Sequence, residues 1–461
     1  MLDTSAAMTA QEIPWAPRAT TSNSPAEPIW QHAQEKLYPR LVLFGALSPF
    51  KAEHSRRNKS DDETCEARRN FLDGFAYLCD VEKGGGTVTA AMLQKLKASN
   101  NNVLWLAANE GIRPDVEAYA HALLQKLSNL EFENEREVRE DIFRLVIENT
   151  RPRLQFYQGA AQRYATRCQV ELKKGMLPSQ RVPSLRAKLK KISKPPPGMT
   201  LGVFVDFCYA MQAEGIPELK KRCKRPDDNF GRLAHYIGRL GATREAVNAV
   251  IEGLIKVPTL CRIKESDIQV MPAPEILSVT IDPDLFKPYE IVHEICKESS
   301  RKDPLEFSRA LHGIVERDNP VSGTLRGDMA SSKRFLARVH AELQLADWCS
   351  RKGMEFVDGD KYIGCSKPAC YFCYNWISNH HKGYVLPATH HKVIVGCRGP
   401  DNDINSSGAG VLKKMYDMMC ATVGQDILHF LLHSEPGASS QGHQYMSTEG
   451  PSRAPSLFPA E

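Results

Sequence analysis

Two short motifs in the last third of the chain constrain its fold more than any other feature. The first is His340-Ala341-Glu342, and the second places Cys370 and Cys373 three residues apart. Imidazole nitrogen and thiolate sulfur are the ligands that zinc prefers. The two motifs therefore predict one zinc site, with His340, Cys370 and Cys373 as its ligands.

Both motifs are predicted to lie at the beginning of a helix. Side chains two residues apart diverge by about 200° within a helix, so His340 and Glu342 can face one ion only if His340 precedes the first turn. The stretch 341–352 is a good helix former and agrees with this placement. For the cysteine pair, we expect the helix to begin at or just after Ser366, with its hydroxyl as the cap and Pro368 in the first turn.

Glu342 gives the predicted site a chemical role. Three protein ligands leave one position for water, and zinc lowers the pKa of water from ~15.7 to ~7. Hydroxide can attack a ring carbon that bears an amino group, while Glu342 moves the proton from water to the ring nitrogen and the leaving ammonia. The order H-x-E, then P-C-x-x-C, is the signature of zinc deaminases that act on nucleobases. This chain departs from it in one position, because Ala369 stands between Pro368 and Cys370.

Residues 338–397 resemble the cytidine-deaminase-like superfamily. The Cys-Ser-Lys-x-x-Cys-x-x-Cys form at 365–373 is similar to a deaminase family found mainly in uncharacterised fungal proteins. The resemblance implies a Zn2+ site with Glu342 as the general acid/base, and it indicates the type of reaction better than the substrate. From the motif chemistry we expect a nucleobase-containing substrate, with a cytosine- or adenine-type base in a nucleoside, a nucleotide or a nucleic acid. The resemblance also implies a β-hairpin before the histidine helix, and the polar stretch 317–333 shows no clear hairpin.

Three further residues are candidates near the site. His390 and His391 match an element that family members carry after the last cysteine, and one of them could contact the substrate. Cys365 could supply a fourth zinc ligand and close the site, or it could pack as a buried thiol at the end of a strand. A closed site favours the alternative function, a catalytically inactive deaminase-like scaffold with a structural zinc.

The hydrophobic pattern predicts an α/β fold in which a layered α/β domain follows a mostly α-helical region. The resemblance implies that this C-terminal domain has the cytidine-deaminase-like α/β/α layers. We expect a disordered leader at 1–30, helices at 31–270, the zinc domain at 271–433 and a disordered tail at 434–461. Within the zinc domain, the pattern predicts the strands 276–281, 361–365 and 392–397 and the helices 289–298, 305–315, 370–378 and 411–423.

Composition favours a cytoplasmic or nuclear protein. The chain has 13 cysteines, an odd number that suits a reducing compartment, and it has neither a signal peptide nor an apolar run long enough to cross a membrane. Basic segments at 181–194 and 220–225 could bind nucleic acid, although solvated surface is the simpler interpretation at a net charge of +5. Gly84-Gly85-Gly86 lacks the Lys-Ser/Thr of a phosphate loop and is predicted to be a turn. No feature indicates an oligomeric state.

Overall fold

The structure is a computed structural model. It describes residues 27–48, 55–96, 101–174, 182–225, 228–257, 259–264, 267–272, 274–300, 303–317, 320–401 and 406–433. The predicted tail and most of the predicted leader lie outside these residues, while residues 27–30 belong to a helix. No helix in the described part is long and apolar enough to cross a membrane.

The described residues form a mixed α/β structure, which confirms the predicted class. The strands are β1 (Thr89–Lys95), β2 (Asn102–Ala108), β3 (Ile268–Val270), β4 (Leu277–Ile281), β5 (Lys333–Ala337) and β6 (Gly364–Cys365). The helices are α1 (Glu27–His32), α2 (Tyr38–Leu47), α3 (Glu63–Cys79), α4 (Pro114–Ser128), α5 (Glu135–Asn149), α6 (Arg151–Lys174), α7 (Val182–Ser193), α8 (Leu201–Ala210), α9 (Gly215–Lys220), α10 (Asn229–Lys256), α11 (Pro288–Glu298), α12 (Pro304–Val315), α13 (Pro320–Ala330), α14 (Ala341–Lys352), α15 (Tyr371–His380) and α16 (Ser406–His433).

Four of the strands form one sheet in the order β3-β2-β1-β6. Strands β1 and β2 form an antiparallel hairpin, β6 pairs antiparallel with β1, and β3 pairs parallel with β2. Because β6 lies beyond residue 270 and the other three strands before it, one sheet spans the boundary predicted there. Strands β4 and β5 form a separate antiparallel pair.

The two faces of β1 pack against different helices. Ala91 and Leu93 belong to a core shared with α3 and α10, whereas Ala90 and Met92 contact the apolar face of α14. Successive side chains point to opposite faces of a strand, so this alternation places α3 on one side of the sheet and α14 on the other. Both faces are buried, and β1 therefore lacks the polar-apolar alternation of a half-exposed strand.

The long helix α10 organises the helical region and packs against α3, α6 and α8. A second core contains α2, α11, α12, α15 and α16 together with the cysteines of the predicted zinc site. Trp376 of α15 is fully buried and stacks on Phe372 with ring centroids 5.4 Å apart. The helices predicted at 289–298, 305–315 and 370–378 match α11, α12 and α15 to within two residues at each end.

Two predicted strands differ from the structure. The strand predicted at 361–365 is confined to Gly364–Cys365. The strand predicted at 392–397 is wrong, because the chain turns there: Cys397 N donates to Ile394 O at 3.1 Å, and Ile394 is 40% exposed. Cys397 alone pairs in this segment, as a parallel bridge to Arg338.

Candidate metal centre

His340 lies at the N-terminus of α14, as the motif spacing predicted. Its backbone is extended, with φ −69° and ψ 153°, and it is the residue that caps the helix. Asn109 fixes this end of the helix to the end of β2, because its side-chain oxygen accepts a hydrogen bond from Ala341 N at 2.8 Å. The imidazole Nδ1 of His340 is thereby held 3.2 Å from Cys373 Sγ and 3.6 Å from Cys370 Sγ.

The cysteine pair lies at the N-terminus of α15. Cys370 is the capping residue, its Sγ accepts a hydrogen bond from Cys373 N at 3.5 Å, and the two sulfur atoms are 3.5 Å apart. The positive end of the helix dipole favours thiolates at this position. Two helix N-termini thus meet at one cluster of zinc-ligating atoms.

Ser366 does not cap this helix, and the start expected at or just after Ser366 is wrong, because α15 begins at Tyr371, one residue from the start of the helix predicted at 370–378. The hydroxyl of Ser366 accepts a hydrogen bond from Thr89 N at 3.1 Å, and Ser366 N donates to Thr89 O at 2.9 Å. These bonds extend the pairing of β6 with β1 and leave residues 367–369 as a non-helical connection. Cys370 therefore takes the capping position that we expected Ser366 to fill.

Cys397 is a fourth member of the cluster that the sequence did not reveal. Its Sγ lies 3.5 Å from Cys373 Sγ, and the ligand atoms of His340, Cys370, Cys373 and Cys397 all lie within 4.8 Å of one another. The Arg338–Cys397 bridge brings it there, with Arg338 N donating to Gly396 O at 2.9 Å. Cys397 is distant in sequence from both motifs, so only that pairing could have indicated it.

Cys365 lies outside this cluster. Its thiol approaches the carbonyl oxygen of Ile363 at 3.7 Å, and its backbone N–H donates to Asp73 Oδ1 at 3.1 Å. It belongs to the apolar core between β1 and α14, as expected for a buried thiol at the end of a strand. The third sulfur atom near His340 is therefore that of Cys397 and not that of Cys365.

Glu342 is buried beside the cluster, with 5% of its surface exposed. The Cys373 thiol lies beside its carboxyl group and favours the charged form, and among the described residues no ion pair joins Glu342 to a lysine or an arginine. Burial raises the pKa of Glu342 above its usual value, and the charge of His340 opposes that shift. The acid thus lies where the H-x-E motif predicted it.

His390 and His391 lie on the segment beside residues 367–369 and outside the sulfur cluster. His390 N donates to Ala369 O at 3.1 Å, and the Nε2 of His391 is 2.9 Å from Ser55 Oγ. The ring of His391 packs edge-on against Tyr374, with centroids 5.4 Å apart. His390 thus contacts the loop that precedes Cys370, whereas His391 contacts Ser55 and Tyr374.

The donor set fits zinc. Three thiols and one imidazole are the ligands of tetrahedral zinc sites, and the cysteines are buried in an apolar core. Burial raises the pKa of Cys397 to about 12 and that of Cys373 well above its usual value, so a cation is needed if several thiolates are to share this space. Three of these ligands make an open site, and all four make a closed one.

Comparison with known proteins agrees with the motifs. Residues 339–401 match the OTT_1508_deam family model, which describes an OTT_1508-like deaminase of the cytidine-deaminase-like superfamily. The match includes His340, Glu342 and all three cysteines of the cluster, and it confirms the resemblance for this segment. No curated protein and no solved structure matches the chain.

Proposed function

We propose that the chain is a zinc-dependent hydrolytic deaminase of a nucleobase-containing substrate. The position of Glu342 carries this proposal. A buried carboxyl group without an ion pair is costly, and a purely structural zinc site has no use for one. A hydrolytic site needs such a group beside the metal.

His340, Cys370 and Cys373 would hold the metal in the proposed enzyme. When bound, zinc supplies Lewis-acid chemistry that makes water a nucleophile at neutral pH. The Glu342 carboxylate accepts a proton from the attacking water and returns it to the ring nitrogen. A second proton leaves with the amino group, so the amino-substituted ring and one water give the carbonyl-substituted ring and ammonia.

The four-stranded sheet supports the proposal. The resemblance implies a hairpin ahead of the histidine helix, and β1–β2 supplies one next to α14 in space although residues 109–340 separate them in sequence. We propose that α3, the sheet and α14 are the layers of a deaminase core, with α15 beside α14. The helices α4–α10 are then an insertion between the hairpin and the histidine helix.

Glu342→Gln tests the mechanism. Ammonia release is measured with free bases, nucleosides, nucleotides and single-stranded oligonucleotides, and we expect wild-type turnover of at least one class. The variant should lose a factor of about 10²–10⁴ in rate while keeping its zinc. Glu306→Gln, the same change in the first turn of α12, is the matched control. An undiminished rate in Glu342→Gln, or no turnover of any class by the wild type, would count against the proposal.

Cys397 favours one other function. If it is the fourth ligand, the zinc is closed to water and the domain is a structural scaffold. If it is not a ligand, its thiol packs in the core as a small apolar group. The number of sulfur atoms around the zinc separates the two functions.

Nucleic-acid binding through the basic segments is also a proposal. Most of segment 181–194 lies in α7, and α7 contacts α9, which segment 220–225 follows. Lys188 and Arg222 already pair with Glu214 and Glu218. Binding of single-stranded oligonucleotides that weakens steeply with salt and falls in a Lys190→Gln/Lys224→Gln variant would support this interaction.

A further inference from the structure

A cluster of basic side chains lies next to the loop that precedes Cys370. Its members come from five parts of the chain: the loop after α3, helix α6, helix α10 and the two segments that flank α15. They are Lys83, Arg153, Arg239, Lys367 and Lys392, with His235 beside them.

Two arginines form the buried floor of this cluster. Arg153 and Arg239 are each only 2% exposed. The guanidinium of Arg153 lies over the ring of Tyr77 at 4.5 Å, and that of Arg239 lies over the ring of Tyr157 at 5.6 Å. The Nε and Nη2 atoms of Arg153 make no hydrogen bond with any described residue. Arg153 Nη1 donates to Tyr77 O at 3.2 Å, so Arg153 is held in place while its Nε and Nη2 donors, which are of the kind that bind oxyanions, face the cluster.

The cluster carries more positive charge than its buried acid balances. Asp80, 1% exposed, accepts from Thr87 Oγ1 at 2.7 Å and pairs with Lys367 Nζ at 3.4 Å, while Arg153 Nη1 is 4.0 Å away. Lys392 pairs with none of these groups, and its positive charge adds to that of Arg239.

The neighbouring cations disfavour one another. Burial lowers the pKa of Arg239 to about 10, and Arg153 contributes in the same direction. Burial lowers the pKa of His235 to about 3, helped by the charges of Arg239, Lys83 and Lys392. Uncompensated cations in a buried place cost free energy that a bound anion would return.

The cluster adjoins the candidate metal centre through the backbone. Lys367 is three residues before Cys370, and its ammonium group donates to Gly84 O at 2.6 Å. Lys392 O accepts a hydrogen bond from Tyr371 N at 3.0 Å, directly after Cys370. The glycine turn at 84–86 therefore faces the lysine of the cysteine motif, although it lacks the sequence of a phosphate loop.

We infer that Arg153, Arg239, Lys367 and Lys392 form a binding site for a phosphate group. The phosphate is that of the substrate, so the enzyme acts on a nucleotide in preference to the nucleoside or the free base. The anion site itself stands on the buried charges, and only its assignment to the substrate rests on the proposed deaminase function.

The test measures binding in the Glu342→Gln variant, so that turnover does not interfere. Inorganic phosphate, tripolyphosphate, CMP, AMP, cytidine and adenosine are titrated at constant ionic strength, with thermal stability and calorimetry as readouts. We expect phosphate to raise the melting temperature, nucleotides to compete with it, and each nucleotide to bind at least about tenfold tighter than its nucleoside.

Variants assign the effect to the site. Arg239→Gln should weaken phosphate and nucleotide binding at least about tenfold. Lys392→Gln should weaken binding to the same extent, and because Lys392 is less buried, this variant provides the test if Arg239→Gln fails to fold. Arg167→Gln, an exposed change on the same helix as Arg153, should leave binding unchanged.

Three results would overturn the inference in separable ways. No binding of phosphate, tripolyphosphate or nucleotide would overturn the anion site. Binding of tripolyphosphate without competition by nucleotides would overturn its assignment to the substrate and favour a separately bound phosphate compound. Nucleosides that bind as tightly as nucleotides would also overturn the assignment of the site to the substrate phosphate. Nucleotide binding by this site without deamination by the wild type would overturn the proposed reaction and leave the anion site standing.

Discussion

Gly364 sets the distance between α3 and β6. A Cβ atom at this position would lie 2.5 Å from the carbonyl carbon of Leu72 and 2.6 Å from Asp73 N. Both are backbone atoms, so no side chain can move aside. The close approach also lets Asp73 accept a hydrogen bond from the backbone of Cys365 at 3.1 Å. One residue without a side chain thus keeps the helix in contact with the strand that leads to the cysteine motif.

Gly364→Ala should therefore destabilise the protein. Forcing the helix and strand apart is expected to lower the free energy of unfolding by about 1–3 kcal/mol, measured by urea denaturation. Gly313 on α12 is the matched control, since a Cβ there meets nothing within 4 Å. Gly313→Ala should raise stability by up to about 1 kcal/mol through helix propensity. Equal midpoints for the two variants would contradict the close contact at Gly364.

The residues of the site were predictable only where the motif is local. His340, Glu342, Cys370 and Cys373 are tied to helix beginnings by spacings of two and three residues, and the structure brings them together. Cys397 joins them through a pairing with Arg338 across 59 positions (397 minus 338), which no local pattern encodes. The cap of α15 was missed because Ser366 is engaged by a strand far earlier in the chain.

At the scale of elements, two ion pairs, one of them buried, connect α3 to the turn before β6. The Nε and Nη2 atoms of Arg69 donate to both oxygens of Asp360 at distances of 2.7–3.2 Å. Arg68 pairs with Asp358 in the same turn. The carboxyl group of Asp360 is 6% exposed, so the pair is shielded from solvent. These contacts connect one layer of the sheet to the segment between α14 and β6.

Asp360→Asn should lower the free energy of unfolding at neutral pH and should make it depend less on pH in the acid range than in the wild type. Burial raises the pKa of Asp360, but hydrogen bonds and charge from Arg69 outweigh it, and the folded-state pKa lies below the usual value of about 3.9. A depressed pKa gives stability that is present above the unfolded value and lost as the pH falls through the folded one. We expect a loss of about 3 kcal/mol at pH 7 that shrinks below pH ~4.

Urea denaturation between pH 2.5 and 7 measures this effect. Asp61→Asn, at an exposed position just before α3, is the control and should follow the wild type throughout. A constant difference between Asp360→Asn and the wild type across the whole range would contradict the ion pair as the cause.

At the scale of the whole molecule, the sheet joins parts of the chain that the sequence pattern separates. Periodicity at 3.6 residues indicated helices such as α4 and α5, because their apolar residues face one core. The hairpin β1–β2 escaped prediction because both faces of its strands are buried, so the residues do not alternate. The hairpin pairs with β6 and packs against α14 through contacts between residues far apart in sequence, so local sequence patterns could not predict these contacts.

A fragment of residues 271–433 should therefore fail to fold cooperatively. Without β1 and β2, the strand β6 loses its partner, and the face of α14 formed by Ala341, Leu345 and Ala346 loses Ala90, Met92 and Ala107. The longer fragment 27–433 retains these contacts and the second core that contains α2, and it should unfold in one cooperative transition. Circular dichroism during urea denaturation makes the comparison, and a cooperative transition in the shorter fragment would contradict the account.

Zinc-edge X-ray absorption on the purified full chain tests the central claim most directly, with Cys397→Ser and Cys365→Ser as matched variants. The account predicts bound zinc in a shell of two sulfur atoms and nitrogen or oxygen, unchanged in both variants. A shell of three sulfur atoms that falls to two in Cys397→Ser, but not in Cys365→Ser, would show a closed site. That result would contradict hydrolytic deamination and establish the structural scaffold instead.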